Sequence, residues 1–262
     1  MSVIYEPKGR AREYAALAFN GYETCAHACI YCYAPLAMHK KRNTFHTACK
    51  PRDDILQRLA KDAASRQKRG LGGQVLLCFS CDPYQPAERL NCITRNAIKA
   101  LHATGHTVCI LTKAGWLPRR DLDLIGPQDA FAISLTVHGT AVAGIWEPNA
   151  APPGERIRTL EAFYDAGVRT WISFEPVIDP REVYFLARMT SPFTDHYKIG
   201  KMNYAGVLPE PLRSQIHRID WRKFAHGIVE LMEKLGYERS DVQGANEPGT
   251  FYIKHDLAKY LE

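Results

Sequence analysis

Residues 25–35 read CAHACIYCYAP, so three cysteines, Cys25, Cys29 and Cys32, fall within a single short hook. The next cysteine is Cys49, and a thiolate metal site normally has four ligands. Three readings follow. A structural zinc ion usually joins two separate hooks, and here it would need His39, His46 or Cys49 to complete it. Simple burial of three thiols is the second, although Gly21 before them and Pro35 after them mark a loop. The third is an iron–sulfur cluster whose corners are held by thiolates, with one iron left without a protein ligand and therefore open to substrate or cofactor.

Outward from the hook, apolar β-rich runs recur at 74–79, 107–112, 130–137, 170–174 and 197–199, with a further candidate at 15–19. Helical patterns lie at 52–68, 87–103, 119–125, 153–166, 180–189 and 211–235. Strands separated by helices imply parallel pairing with right-handed crossovers, which is an α/β class. Polar stretches follow the runs directly: SCDPYQP after Phe79, TKAG after Leu111, SLTVHG after Ile133 and FEPVIDP after Ser173. In parallel sheets and barrels the C-terminal strand ends carry the chemistry, so these residues are expected at one rim. No repeat, low-complexity segment or linker divides the chain, and residues 1–262 are expected to form one domain. The tail has a weaker pattern, with 244–250 read as a loop and 253–261 as a short closing helix.

The 262 residues are 46% hydrophobic and 24% charged, which excludes a disordered or fibrous chain. No signal-like segment or run of eighteen apolar residues occurs, so a cytoplasmic protein with no membrane contact is expected. In a reducing compartment the eight cysteines are metal ligands or buried thiols rather than disulfides. The net charge of +6 comes from groups at 40–42, 66–69, 119–120 and 213–223, read as solvated helix faces or as contacts to a nucleic acid.

The Cys-x3-Cys-x2-Cys spacing, with the aromatic Tyr31 just before the last cysteine, resembles the radical S-adenosylmethionine (radical SAM) enzymes. NGYETCAHACIYCYAP, CFSCDPYQPAE, LTKAG, SLTV, WEPNAAPPGER and YKIGKMNY, in that order, resemble the branch containing spore photoproduct lyase. The likeness covers about residues 17–205. It implies a partial, open (β/α)6 TIM-type barrel with its core at about 15–205, and a C-terminal helical extension, 206–262, packed on it. It further implies a [4Fe–4S] cluster on Cys25, Cys29 and Cys32, with SAM chelating the open iron. Reductive cleavage by an electron from reduced flavodoxin or ferredoxin would then release a 5′-deoxyadenosyl radical that abstracts hydrogen from a substrate.

Carried over residue by residue, the resemblance places Tyr31 near the adenine and Ser80, Asp82, Lys113 and Ser134 at the methionine end of SAM. A zwitterion wants a cation and oxygen acceptors, which Lys113 with Asp82 and Ser134 provide. Lys198, with Lys201, Asn203 and Tyr204, is expected at the same rim, and Glu147, Arg156 and Glu175 on the substrate side. Glu88 and Arg89 read as an ordinary first-turn acid and a solvated base. Along an extended strand Cys78 and Cys81 point to opposite faces and do not chelate together. Either is a candidate to return hydrogen to a product radical, or is a plain buried thiol. Cys49, Cys92 and Cys109 read as core thiols. The branch suggests a nucleic-acid base or lesion as substrate, as in DNA repair. The alternatives are another nucleic acid, a small metabolite, or a non-catalytic zinc-stabilised nucleic-acid-binding protein. The chain is compact beside the lyase, which argues against thymine-dimer reversal.

Overall fold

The computed structural model describes residues 2–47 and 49–262. From the N-terminus come β1 (Leu17–Phe19), α1 (Ala34–Ala37), α2 (Arg42–Thr47), α3 (Ile55–Lys68), β2 (Gln74–Leu77), α4 (Glu88–Asn91), α5 (Ile93–His102), β3 (Thr107–Thr112) and β4 (Ala130–Ser134). There follow α6 (Thr140–Trp146), α7 (Pro153–Asp165), β5 (Arg169–Val177), α8 (Pro180–Thr190), β6 (His196–Lys201), α9 (Leu212–His217), α10 (Trp221–Lys234), β7 (Glu238–Arg239), β8 (Thr250–Ile253) and α11 (His255–Ala258). All strands pair in parallel in the order β1-β2-β3-β4-β5-β6-β8-β7, so the sheet is α/β and open. The first six strands keep chain order, as the resemblance implied.

Strand residues alternate between two cores, as a period of two requires. Val75, Leu77, Phe131 and Ile133 pack outward under the helices, where Phe131 stacks on Phe163 of α7 with ring centres 3.8 Å apart. Ala18, Leu76, Ala130, Ala132 and Trp171 point to the inner face. The small inner side chains leave space there, and Ser134, Ser173 and Glu175 continue the same parity toward the C-terminal strand ends.

Several expected elements break, each for a tertiary reason. The helix expected over 87–103 divides at Cys92, which is left-handed with φ 49°. Glu88, taken for an ordinary acid, is fully buried and caps the second helix by accepting from Thr94 N at 2.9 Å. It also accepts from Tyr22 Oη at 2.5 Å and pairs with Arg120 at 2.7 Å. Arg89 is exposed, as expected. The 119–125 stretch forms only a 3-10 turn, Leu117–Asp121, with Pro118 in its first turn. The 211–235 stretch divides where Asp220 caps α10 by accepting from Lys223 N at 2.9 Å. The segment after 205, expected to be helical, also supplies β7 and β8, and the closing helix shrinks to α11. Among the described residues no helix is long and apolar enough to cross a membrane.

Pairing of β6 with β8 buries His196, whose Nδ1 lies 2.8 Å from Thr250 Oγ1. Burial, and then the nearby Lys198 charge, lower its pKa from 6.5 to about 3. Below pH 6.5 the unfolded chain takes up a proton that the folded chain refuses until about pH 3, so stability falls as pH drops through that window. The loss is about 3 kcal/mol between pH 6.5 and about pH 4.5. His196→Gln should flatten this slope in urea unfolding; an unchanged slope would assign it to other groups.

Candidate functional site

A cavity of about 610 Å3 opens at the C-terminal strand ends, within the roughly 300–1,000 Å3 usual for small-molecule sites. The hook between β1 and α1 forms one wall, and Cys25, Cys29 and Cys32 all line it. Its path is irregular, with Ala28 at φ 54°, and distant segments hold it. The Gln85 amide accepts from Ala26 N and donates to Thr24 O, both at 2.9 Å. Asn149 Nδ2 donates to Ala26 O at 3.0 Å, and Ile30 N donates to Trp146 O at 3.0 Å. The loops after β2 and α6 thus shape the hook.

Cys25 Sγ accepts from the His27 N–H and Cys32 Sγ from the Ala34 N–H. Burial is nevertheless the largest influence, raising all three thiols, with Cys29 pushed up to about 12. At neutral pH they keep their protons unless a metal displaces them. This donor set fits a thiolate-held cluster. Among the described residues no group of three or more His, Cys, Asp and Glu side chains is placed to hold a single metal ion. Two of the residues weighed as a fourth zinc ligand have other partners. His46 Nδ1 lies 2.8 Å from Cys25 O, and Cys49 Sγ accepts from Thr24 Oγ1 at 3.4 Å.

Ser80, Asp82, Lys113, Ser134 and Tyr31 line the same cavity. The Ser80 Oγ is buried and has no hydrogen-bond partner among the described residues. Asp82 instead joins three segments: it accepts from Tyr84 N at 2.8 Å, Thr112 Oγ1 at 2.7 Å and Lys113 N at 2.7 Å, with His27 Nε2 at 3.1 Å. Burial pushes its carboxyl up, but His27 and these donors outweigh that and hold it at about 2. Lys113 Nζ sits 5.7 Å from the centre of the Tyr31 ring. Burial opposes its charge, while Cys29 and Glu147 more than restore it.

Three expectations are corrected. Glu147 and Arg156 do not face the cavity; they are 2% and 0% exposed and pair with each other at 2.6 Å. Tyr31 Oη donates to Glu147, and Arg156 Nη1 donates to Ser134 O at 3.0 Å, so the pair supports the cavity wall from behind. Lys198 also misses the cavity, because it faces the closed interior and donates to Glu13 O at 3.0 Å and Tyr14 O at 3.2 Å. Burial brings its pKa down to about 8. Lys201 packs 5.1 Å from the Tyr260 ring centre and donates to its hydroxyl at 3.2 Å. Finally, β2 ends at Leu77, so strand parity does not govern Cys78 and Cys81; both line the cavity wall, where Cys78 Sγ accepts from Gly21 N at 3.5 Å and Cys81 Sγ donates to Tyr22 O at 3.6 Å. Of the other thiols only Cys109 is in the core, while Cys49 and Cys92 are half-buried.

The facing wall carries Glu175 and Asn203, and Tyr204 stands exposed at the mouth. Its centre is an ion pair that sequence reasoning missed: Lys254 Nζ lies 2.5 Å from Glu175 Oε2 and 4.2 Å from the Tyr14 ring centre, and Tyr14 donates to the same carboxylate. A Cβ on Gly200 would meet Lys254 Cδ at 2.9 Å and Glu175 Cδ at 3.1 Å, so glycine makes room for the pair. The available signal for Lys254 was a lysine directly after the apolar run TFYI, which is too short to read as a strand.

No protein-family model matches the chain. An uncharacterized protein of Methanocaldococcus jannaschii is 26% identical over 197 residues, covering 72% of this chain and 71% of that one. An uncharacterized protein of Mycobacterium tuberculosis is 32% identical over 177 residues, covering 63% of this chain and 51% of its own length. The match therefore spans about half of the mycobacterial relative. Among solved structures, spore photoproduct lyase with bound AdoMet and dinucleoside spore photoproduct has a TM-score of 0.67 at 14% identity, over 96% of this chain and 78% of that one. SuiB of Streptococcus suis bound to S-adenosylmethionine has a TM-score of 0.61 at 10% identity, over 93% and 51%. The expected likeness to spore photoproduct lyase thus holds as a likeness of fold.

Proposed function

We propose that this chain is a radical SAM enzyme. The observation that carries the reading is one cavity lined by three clustered thiols together with Lys113 and the unpartnered Ser80 hydroxyl. When bound, a [4Fe–4S] cluster on Cys25, Cys29 and Cys32, together with SAM, supplies a carbon radical that takes a hydrogen atom from the substrate. Lys113 then binds the SAM carboxylate, Ser80 and Ser134 accept from its ammonium, and the Tyr31 ring packs near the adenine. Asp82 acts at one remove, fixing the Lys113 backbone and the hook through His27. The Tyr14–Glu175–Lys254 wall faces the substrate. Fixed polar groups in an enclosed cavity orient the reacting atom and keep water away from it.

A nucleic-acid base or lesion is the substrate class we favour. Exposed Tyr33 and Tyr204 beside Lys8 and Arg10 at the mouth offer stacking surfaces and phosphate partners. The related lyase structure holds a dinucleoside, whereas SuiB binds a precursor peptide, and a small metabolite remains the competing substrate. Reduced flavodoxin or ferredoxin in the cytoplasm is the proposed electron donor.

Reconstituted without air, the protein should carry about four irons and four sulfides per chain, and reduction with SAM should yield 5′-deoxyadenosine. Stoichiometric zinc without iron would sink the reading. Lys113→Ala should keep the iron but weaken SAM binding at least about tenfold, because a hydrogen bond to a charged group contributes about 1.5–3 kcal/mol. Equal loss of iron would contradict the role given to Lys113.

A further inference from the structure

The hook's thiols face the cavity, but its carbonyls rest on α2. Arg42 Nη1 donates to Cys29 O at 2.9 Å, and its Nη2 donates to Ile30 O at 2.6 Å and Cys32 O at 3.0 Å. One turn later, His46 Nδ1 lies 2.8 Å from Cys25 O and its Nε2 lies 3.4 Å from Arg42 Nη1. Residues at i and i+4 share a helix face, so one face of α2 holds the carbonyls of all three cysteines. A guanidinium is planar and permanently charged; it fixes several acceptor directions at once and stands behind the thiols as a cation.

We infer that Arg42, assisted by His46, is a positioning residue that holds the three-thiol hook in shape before any cluster is present, and that its charge favours the reduced state of the cluster once bound. The second half rests on the radical SAM reading; the first does not. Reduction adds one electron from an external reductant to the cluster, and a fixed cation nearby lowers the free energy of the more negative state. A lysine keeps this charge but loses the fork.

The test uses full-length Arg42→Gln, Arg42→Lys and His46→Ala. In the metal-free proteins, iodoacetamide labelling followed by peptide mass spectrometry should show Cys25, Cys29 and Cys32 modified at least tenfold faster in Arg42→Gln than in wild type. Arg42→Lys should be intermediate, His46→Ala about threefold faster, and buried Cys109 unchanged. After reconstitution, dithionite titration followed by electron paramagnetic resonance should show the reduced-to-oxidised ratio at fixed potential down about tenfold in Arg42→Gln. That is a midpoint about 59 mV lower for a one-electron couple, with Arg42→Lys near wild type. Hook labelling within twofold of wild type in Arg42→Gln overturns the positioning role, and an unmoved midpoint overturns the charge role. If Cys109 also becomes reactive in Arg42→Gln, Arg42→Lys decides by the same labelling ratio. Wild type that takes up no iron would refute the functional reading, and the labelling arm would still judge the clamp.

Discussion

Cys29→Ala should give colourless protein after reconstitution, with iron below a tenth of wild type and no 5′-deoxyadenosine formed from SAM. Cys29 lies in the middle of the hook and is the most enclosed of its three thiols, with 7% of its surface exposed. Its proton is held up to about pH 12 by burial, so the side chain becomes a thiolate only when a metal takes the proton's place. With alanine there, only two of the three hook thiols remain on this wall. The fold should persist, because the hook hangs from backbone bonds to Gln85, Asn149 and Trp146 that do not use this sulfur. The control is Cys109→Ala, which opens a small gap beside Trp171 in the inner core and should cost about 1 kcal/mol of stability while leaving iron and cleavage intact. Iron and sulfide assays with chromatography of the nucleoside product measure both variants. Iron retained by Cys29→Ala would mean that the hook is not the metal site.

The hook and the first six strands were legible because each is written locally. Three cysteines in one loop are adjacent whatever the rest of the chain does, and the βα alternation implies parallel pairing, whereas the chain order of the strands was expected from the resemblance. Strand ends were less legible. The apolar run at 74–79 carries on into Cys78 and Phe79, but the chain leaves the sheet at Leu77, where Phe79 N and Ser80 N donate to the Asn20 side-chain Oδ1 at 2.7 and 2.9 Å. That partner lies some sixty residues away, and no local pattern announces it. The placement of both Cys78 and Cys81 on the cavity wall follows from this turn and was hidden with it. The same holds for the facing wall. Tyr14 lies just after a 3-10 turn and Lys254 just after a four-residue strand, and both gain meaning only when β8 docks on β6. The polar residues read as one rim proved to be two sets. Ser80, Lys113 and Ser134 face the cavity, while Glu147 and Arg156 cancel each other behind it, and sequence position cannot separate a rim charge from one that neutralises a neighbour.

Arg156→Ala should be among the most destabilising substitutions in the chain, at about 4 kcal/mol, lowering the melting temperature by about 10 °C. Burial pushes the Glu147 carboxyl up, but Arg156 first and Lys113 second more than offset this and keep it below the ordinary carboxylate range. Removing the guanidinium strands an ionised carboxylate that is 2% exposed, and it also frees the Ser134 and Ala151 carbonyls from their donors. The carboxylate must then either take up a proton or draw in water, and both loosen Tyr31, whose hydroxyl donates to it one residue before Cys32. The damage should therefore reach the hook and slow SAM cleavage as well as lower stability. Pairing Arg156→Met with Glu147→Gln should recover much of the loss, because deleting both charges avoids the stranded one. Exposed Arg158, whose guanidinium lies 5.2 Å from the Trp116 ring centre, supplies the comparison; its alanine variant should move stability by no more than about 0.5 kcal/mol. Thermal unfolding followed by circular dichroism reads all four proteins. A melting temperature within a few degrees of wild type for Arg156→Ala would mean that Glu147 is held by groups other than this arginine.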